Sequence, residues 1–137
     1  MIFRLDAVNE QIFSEIAGKT EQQCTAAETI DFIEETCTLP DSRVFVDCVP
    51  CGLNDSDLVS IADLARNHEL QVRFISQIPS KKILADGGGY RSRDTVFNLM
   101  QRTFGTLVQT ADEPYESCTV AGFKGTIAFI TRPAPQI

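Results

Sequence analysis

Three polar residues stand where short apolar runs of this sequence end. Ile2 to Leu5 leads into Asp6, Val44 to Val46 into Asp47, and Val72 to Ile75 into Ser76. Runs of this length are the pattern of buried strands, and in sheets of parallel strands ligands and chemistry gather at the carboxyl ends. Directly after Asp47 comes Cys48-Val-Pro-Cys51, a C-x-x-C pair at a strand-to-helix junction. Backbone amides at such a junction stabilise a thiolate, which is the requirement for thiol redox chemistry. The neighbouring carboxylate of Asp47 opposes this by raising the thiol pKa. A metal centre on the pair needs two further ligands, and Cys24, Cys37, Cys118 and His68 do not offer them at a ligand spacing. Structural roles compete with each of these readings. Asp6 and Asp47 suit helix caps or loop acids, Ser76 suits a bond to its own backbone, and His68 suits a helix C-terminus.

The elements that position these residues follow from periodicity. Leu58, Ile61, Ala62 and Ala65 fall at i, i+3, i+4 and i+7, one face of a helix, with Asn54, Asp55 and Ser56 offering capping oxygens before it. With the runs on either side this predicts a βαβ unit over Arg43 to Ser76, its crossover right-handed. Upstream, a strand over Ile2 to Leu5 precedes a helix over Glu10 to Ala17 that Asn9 caps and Gly18 ends. Thr20 to Cys24 reads as a weak edge strand. Thr25-Ala-Ala-Glu28 matches a capping box for a helix that runs towards Cys37 and stops before Pro40. Downstream, Lys81 to Ala85 is one helical turn or loop, and Gly87 to Gly89 admit backbone angles closed to other residues. No GK[ST] follows them, so a tight turn is favoured over a phosphate cradle. Tyr90 to Arg93 reads as a short strand and Asp94 as the cap of a last helix, with Val96, Phe97, Met100 and Phe104 on one face and Gly105 as its stop. Residues 105–137 are β-prone, and Gly122 to Gly125 turn one run back on the next.

A chain of 137 residues with 43% hydrophobic side chains can bury a real core as one domain over 1–137. No apolar run is long enough to cross a bilayer and no secretory leader is evident, so a cytoplasmic protein without membrane insertion is expected. The net charge of -7 is uneven, with fourteen acids and four bases in residues 1–70 against five and eight in the remainder. Phosphate repulsion from so acidic a surface argues against nucleic-acid partners. An odd count of five cysteines does not suggest a disulfide framework.

Over residues 1–104 the order of these elements resembles a response-regulator receiver domain. IFRLD is similar to the strand that ends in acidic metal ligands, RVFVD to the strand whose last aspartate accepts phosphate, and VRFIS to the strand with the switch hydroxyl. GGGYRSRD resembles the glycine–tyrosine segment that leads to a lysine, with Arg93 in the lysine's position. The resemblance implies an α/β, flavodoxin-like, mostly parallel sheet flanked by helices, with residues 105–137 as a C-terminal β-hairpin appendage and tail. It assigns Asp47 to the phosphoacceptor position, Asp6, Ser76 and Arg93 to its surroundings, and Mg²⁺ to Asp6 and Asp47, because an aspartate nucleophile needs a cation on the approaching phosphoryl oxygens. Ala7 stands where a second acid is usual and Arg93 offers a planar fork in place of an ammonium. The implied protein is a pseudo-receiver: a regulatory signalling module, not an enzyme, that has lost efficient phosphorylation and works by binding a protein partner. VDCVPCGLNDSDL also resembles the segment of STAS partner-switching domains, which places Asp47, Asp55 and a phosphorylated Ser56 in its pattern. The alternative redox reading rests on Cys48 and Cys51, and the extra sheet edge suggests a homodimer.

Overall fold

The computed structural model describes residues 1–17, 24–78 and 91–133. In chain order these form β1 (Ile2–Arg4), α1 (Glu10–Ala17), α2 (Ala26–Cys37), β2 (Phe45–Cys48), a 3-10 turn (Asp55–Asp57), α3 (Leu58–Ala62), α4 (Leu64–Asn67), β3 (Gln71–Ile78), α5 (Arg93–Phe104), β4 (Leu107–Ala111), β5 (Glu116–Val120) and β6 (Thr126–Pro133). The fold is α/β, with helices flanking a six-stranded sheet of order β1-β2-β3-β6-β5-β4. The first four of these run parallel and β5 and β4 antiparallel to their neighbours.

Local chemistry explains the helices. Asn9 Oδ1 accepts from Ile12 N at 3.1 Å and starts α1. Thr25 and Glu28 exchange both bonds of a capping box at 3.1 Å each, satisfying two amides that lack a helical acceptor. The Glu10 carboxylate accepts from Ala26 N and Ala27 N at 2.8 and 3.1 Å, so a side chain of α1 also anchors the positive end of α2. Helix α5 is capped by Ser92, whose Oγ accepts from Thr95 N, and ends at Gly105 with φ +97°.

Several boundaries differ from the sequence expectation. Arg91 and Ser92 form no strand and Arg93 opens α5, because Ser92 takes the cap expected of Asp94. The helix expected after Asn54 is split into a 3-10 turn and two short helices, with no side-chain cap from Asn54 or Asp57. Strand β2 extends through Cys48, and β3 continues past Ser76 to Ile78, so neither Asp47 nor Ser76 is a strand terminus. The expected elements at Gly18, at residues 20–23, 81–85 and 87–90, and in the last four residues lie outside the described residues.

The segment after residue 104 extends the sheet from within. Its last strand pairs with β3 over eight positions, Gln71 with Thr126 through Ile78 with Pro133, and so lies between β3 and the β5–β4 hairpin. Residues 121–125 turn β5 back to β6, as their glycines suggested. Val46, Cys48, Val72, Phe74, Ile127 and Phe129 alternate onto one sheet face and share a core with Ile33, Leu58, Ile61, Ala65, Val96 and Met100 of the helices. Each fully buried aliphatic side chain there contributes about 1.5–3 kcal/mol. The opposite face presents Phe45, Asp47, Gln71, Arg73 and Thr126, all half-buried. Ile75 and Ala128 are buried outside the helical core.

The turn into β6 is strapped to α4. Gly125 N donates to Ala65 O at 2.7 Å, and Thr126 N to Leu70 O at 3.0 Å. Arg66 lies over the rings of Phe104 and Phe123, tying α4, α5 and the turn together. A Cβ on Gly125 would stand 1.9 Å from Leu70 O, a backbone atom that cannot move alone. Gly125→Ala should therefore destabilise the fold by roughly 3 kcal/mol or more. Gly122→Ala meets open space at φ +86° and should cost only about 1 kcal/mol of backbone strain. Urea unfolding of both variants checks the contrast, which equal midpoints would refute.

Candidate functional site

The carboxyl ends of β1 and β2 are joined by three buried polar side chains. Asp6 Oδ1 accepts from Val49 N at 2.8 Å, and both of its oxygens accept from Arg4 Nε. Asn54, fully buried, donates to Asp6 O at 2.8 Å and to Val49 O at 3.0 Å, and accepts from Cys51 N at 3.0 Å. Asp57 Oδ2 accepts from Val8 N and Asn9 N at 3.0 and 2.9 Å. Backbone groups of the two loops that find no partner in the sheet are thus satisfied by side chains, and the side chains are consumed in doing so.

Asp47 lies on the face of the sheet opposite the helices. Its cross-strand neighbours are Arg4 on β1 and Arg73 on β3. Arg73 grips it with a fork of two bonds, Nε to Oδ1 at 2.5 Å and Nη2 to Oδ2 at 2.9 Å, and the two side chains are only 13% and 15% exposed. The guanidinium also sits over Phe45 and Tyr115. Tyr115 donates to Gln71 Oε1 at 2.6 Å, and Gln71 donates to Ser117 and Thr126. A two-bond fork at so little exposure fixes the carboxylate and the guanidinium against each other.

Arg93 and Ser76 lie on the helical side. Arg93 forks onto Glu116 at 2.9 and 2.7 Å and stacks on Phe97. Ser76 shares the parity of Val72 and Phe74 in β3 and is 1% exposed. The four residues of the receiver-like set are therefore divided, Asp6 and Asp47 turned to one face, Ser76 and Arg93 to the other. Asp6 and Asp47 do not fit a Mg²⁺ site, because each already has an arginine on its carboxylate and a cation would have to displace it. Among the described residues no three His, Cys, Asp or Glu side chains converge as metal ligands. Ser56 is exposed within the 3-10 turn, and Arg91 pairs with Asp55. His68 meets Glu34 of α2 at 2.9 Å.

All five cysteines are free thiols. Cys48 points into the core beside Asn54 and is fully buried. Burial first, and then the charge of Asp6, push its thiol well above the ordinary value. Sequence reasoning did not find Arg4, Arg73 or Tyr115. The arginine inside Val72-Arg-Phe74 and the aspartate inside Val46-Asp-Cys48 occupy the same strand parity, a hint that becomes a pair only once the register is known.

No family model matches the chain, and no solved structure matches it significantly. Among curated proteins it is 28% identical over 110 residues, 72% of its length, to "Molybdenum cofactor biosynthesis protein 1" of Dictyostelium discoideum. The chain spans 17% of that relative's length. No helix of the described residues is long and apolar enough to cross a membrane.

Because the folded thiol of Cys48 holds its proton more tightly than the unfolded one, its contribution to stability is complete below the ordinary thiol value of 9.0 and is lost as pH rises beyond it. In native protein at about pH 8, a thiol reagent should therefore modify the half-buried Cys51 well before Cys48. Mass-spectrometric mapping of time points reads the order, and equal rates at the two sites would contradict it.

Proposed function

We propose that this chain is a non-catalytic binding unit that serves molybdenum cofactor biosynthesis by engaging another component of that process. The observation that carries the reading is the 110-residue match to a relative named for that biosynthesis. A binding role agrees with the geometry. The carboxylates at the strand ends are spent on arginines and backbone amides, and the first thiol of the C-x-x-C pair is buried. Disrupting the gene should lower the activity of the host's molybdenum-dependent enzymes, and expression of the intact chain should restore it. Unchanged activity after disruption overturns the reading.

The second reading is the pseudo-receiver, a signalling module that works through a protein partner. Its support is the placement of Asp6 just beyond the end of β1 and of Asp47 in the adjacent parallel β2, together with the missing second acid at Ala7. A flavodoxin-like strand order belongs to this reading. With each carboxylate already paired, Mg²⁺ plus beryllofluoride should leave the amide spectrum around Asp6 and Asp47 unmoved. Saturating shifts there would instead restore a working phosphoacceptor.

A further inference from the structure

A cleft of about 240 Å³ lies between the 3-10 turn with α3 and the outer side of α5. Its floor is apolar: Leu58 and Val96 are almost wholly buried, and Leu99 is half-buried. Its rim is charged. Arg91 closes one side and is engaged by Asp55, Nη2 to Oδ2 at 2.9 Å. Thr95, Leu99 and Arg102 follow at i, i+4 and i+7 on α5, so hydroxyl, hydrocarbon and guanidinium share one stripe. Helical side chains lean towards the N-terminus, so Arg102 leans towards the turn that carries Leu99. Arg102 is exposed and makes no hydrogen bond or ion pair among the described residues. With Arg91 engaged by Asp55, Arg102 adds a positive charge to the described part of the rim, in a chain whose net charge is -7.

We infer that this cleft binds a small monocarboxylate with an apolar body. The carboxylate lies against the guanidinium of Arg102, and the hydrocarbon rests on Leu99 and the narrow edges that Leu58 and Val96 leave open. Size selects the ligand class. Sites for drug-sized ligands run to about 300–1,000 Å³, whereas this one has room for about eight water-sized groups of ~30 Å³ each. The Arg102 guanidinium matches one negative charge, and its planar fork matches the two oxygens of a carboxylate. An apolar floor adds nothing for a bare inorganic anion.

The test is an NMR titration of the labelled full-length chain with 4-methylpentanoate. The controls are 4-methylpentanamide, its neutral isostere, and inorganic phosphate, an anion without an apolar body. The carboxylate should give saturating shifts at Leu58, Val96, Leu99 and Arg102 with a dissociation constant on the order of 1 mM. The amide and phosphate should bind about tenfold more weakly or not at all, and Arg102→Gln should lose about tenfold in affinity. Arg102→Lys, which keeps the charge, should recover part of that loss. Arg102 is exposed, so an unchanged spectrum away from the cleft separates lost binding from lost fold. Absence of saturation by about 20 mM, an amide that binds as well as the acid, or an Arg102→Gln variant that titrates like the parent overturns the assignment. Phosphate binding as tight as the carboxylate would reduce the cleft to an adventitious ion site only and overturn it equally.

Discussion

The pairing of β3 with β6 is the constraint on which the rest of the molecule depends. Eight consecutive positions of Gln71–Ile78 meet Thr126–Pro133 in parallel, so a strand formed late in the chain completes one that lies some fifty residues earlier. Parallel strands cannot be joined by a tight turn, and the loop closure they demand is repaid only when the whole register forms. Helix α5 and the β4–β5 hairpin occupy the excursion between them. Phe129 of β6 then packs against Phe74 of β3 and Phe97 of α5, so closing this register also seats the last helix. The close approach of Gly125 to Leu70 marks where the register begins.

Register in the other half of the sheet sets the electrostatics. Bringing β1, β2 and β3 side by side aligns Arg4, Asp47 and Arg73 in one row across the sheet. A charge held at 13–15% exposure is costly unless it is matched, and the alternation of sign along the row supplies the match. The outcome is a sheet face whose charged groups are structural. Asp6, Asn54 and Asp57 play a similar part at the loops, satisfying amides that would otherwise be buried without partners. A carboxylate so committed is a poor nucleophile or metal ligand.

Charge left over elsewhere is more informative. Arg91, Arg93 and Arg73 each hold a carboxylate, whereas Arg102 stands over an apolar floor with no such partner among the described residues. A cation beside the partly exposed Leu99 gives the proposed amphipathic anion both of its contacts. Among the described residues the charges therefore divide into pairs that brace the sheet and loops and side chains, Arg102 among them, that make no ion pair.

By itself the sequence determined what nearest neighbours decide. The capping box at Thr25 and Glu28, the Asn9 cap, the stop at Gly105 and the apolar face of Val96, Phe97, Met100 and Phe104 all rest on contacts within one or two helical turns, and each is present as read. The apolar runs likewise located β1, β2 and β3 to within a few residues. Tertiary structure alone decided that β6 lies beside β3, that Ser76 is buried in mid-strand, that Asp47 faces Arg73, and that Asn54 spans two loops where a helix cap was expected. These depend on register between strands distant in sequence. A period of two tells which residues share a face but not which strand stands opposite, and a carboxylate's chemistry is set by the group that it meets there.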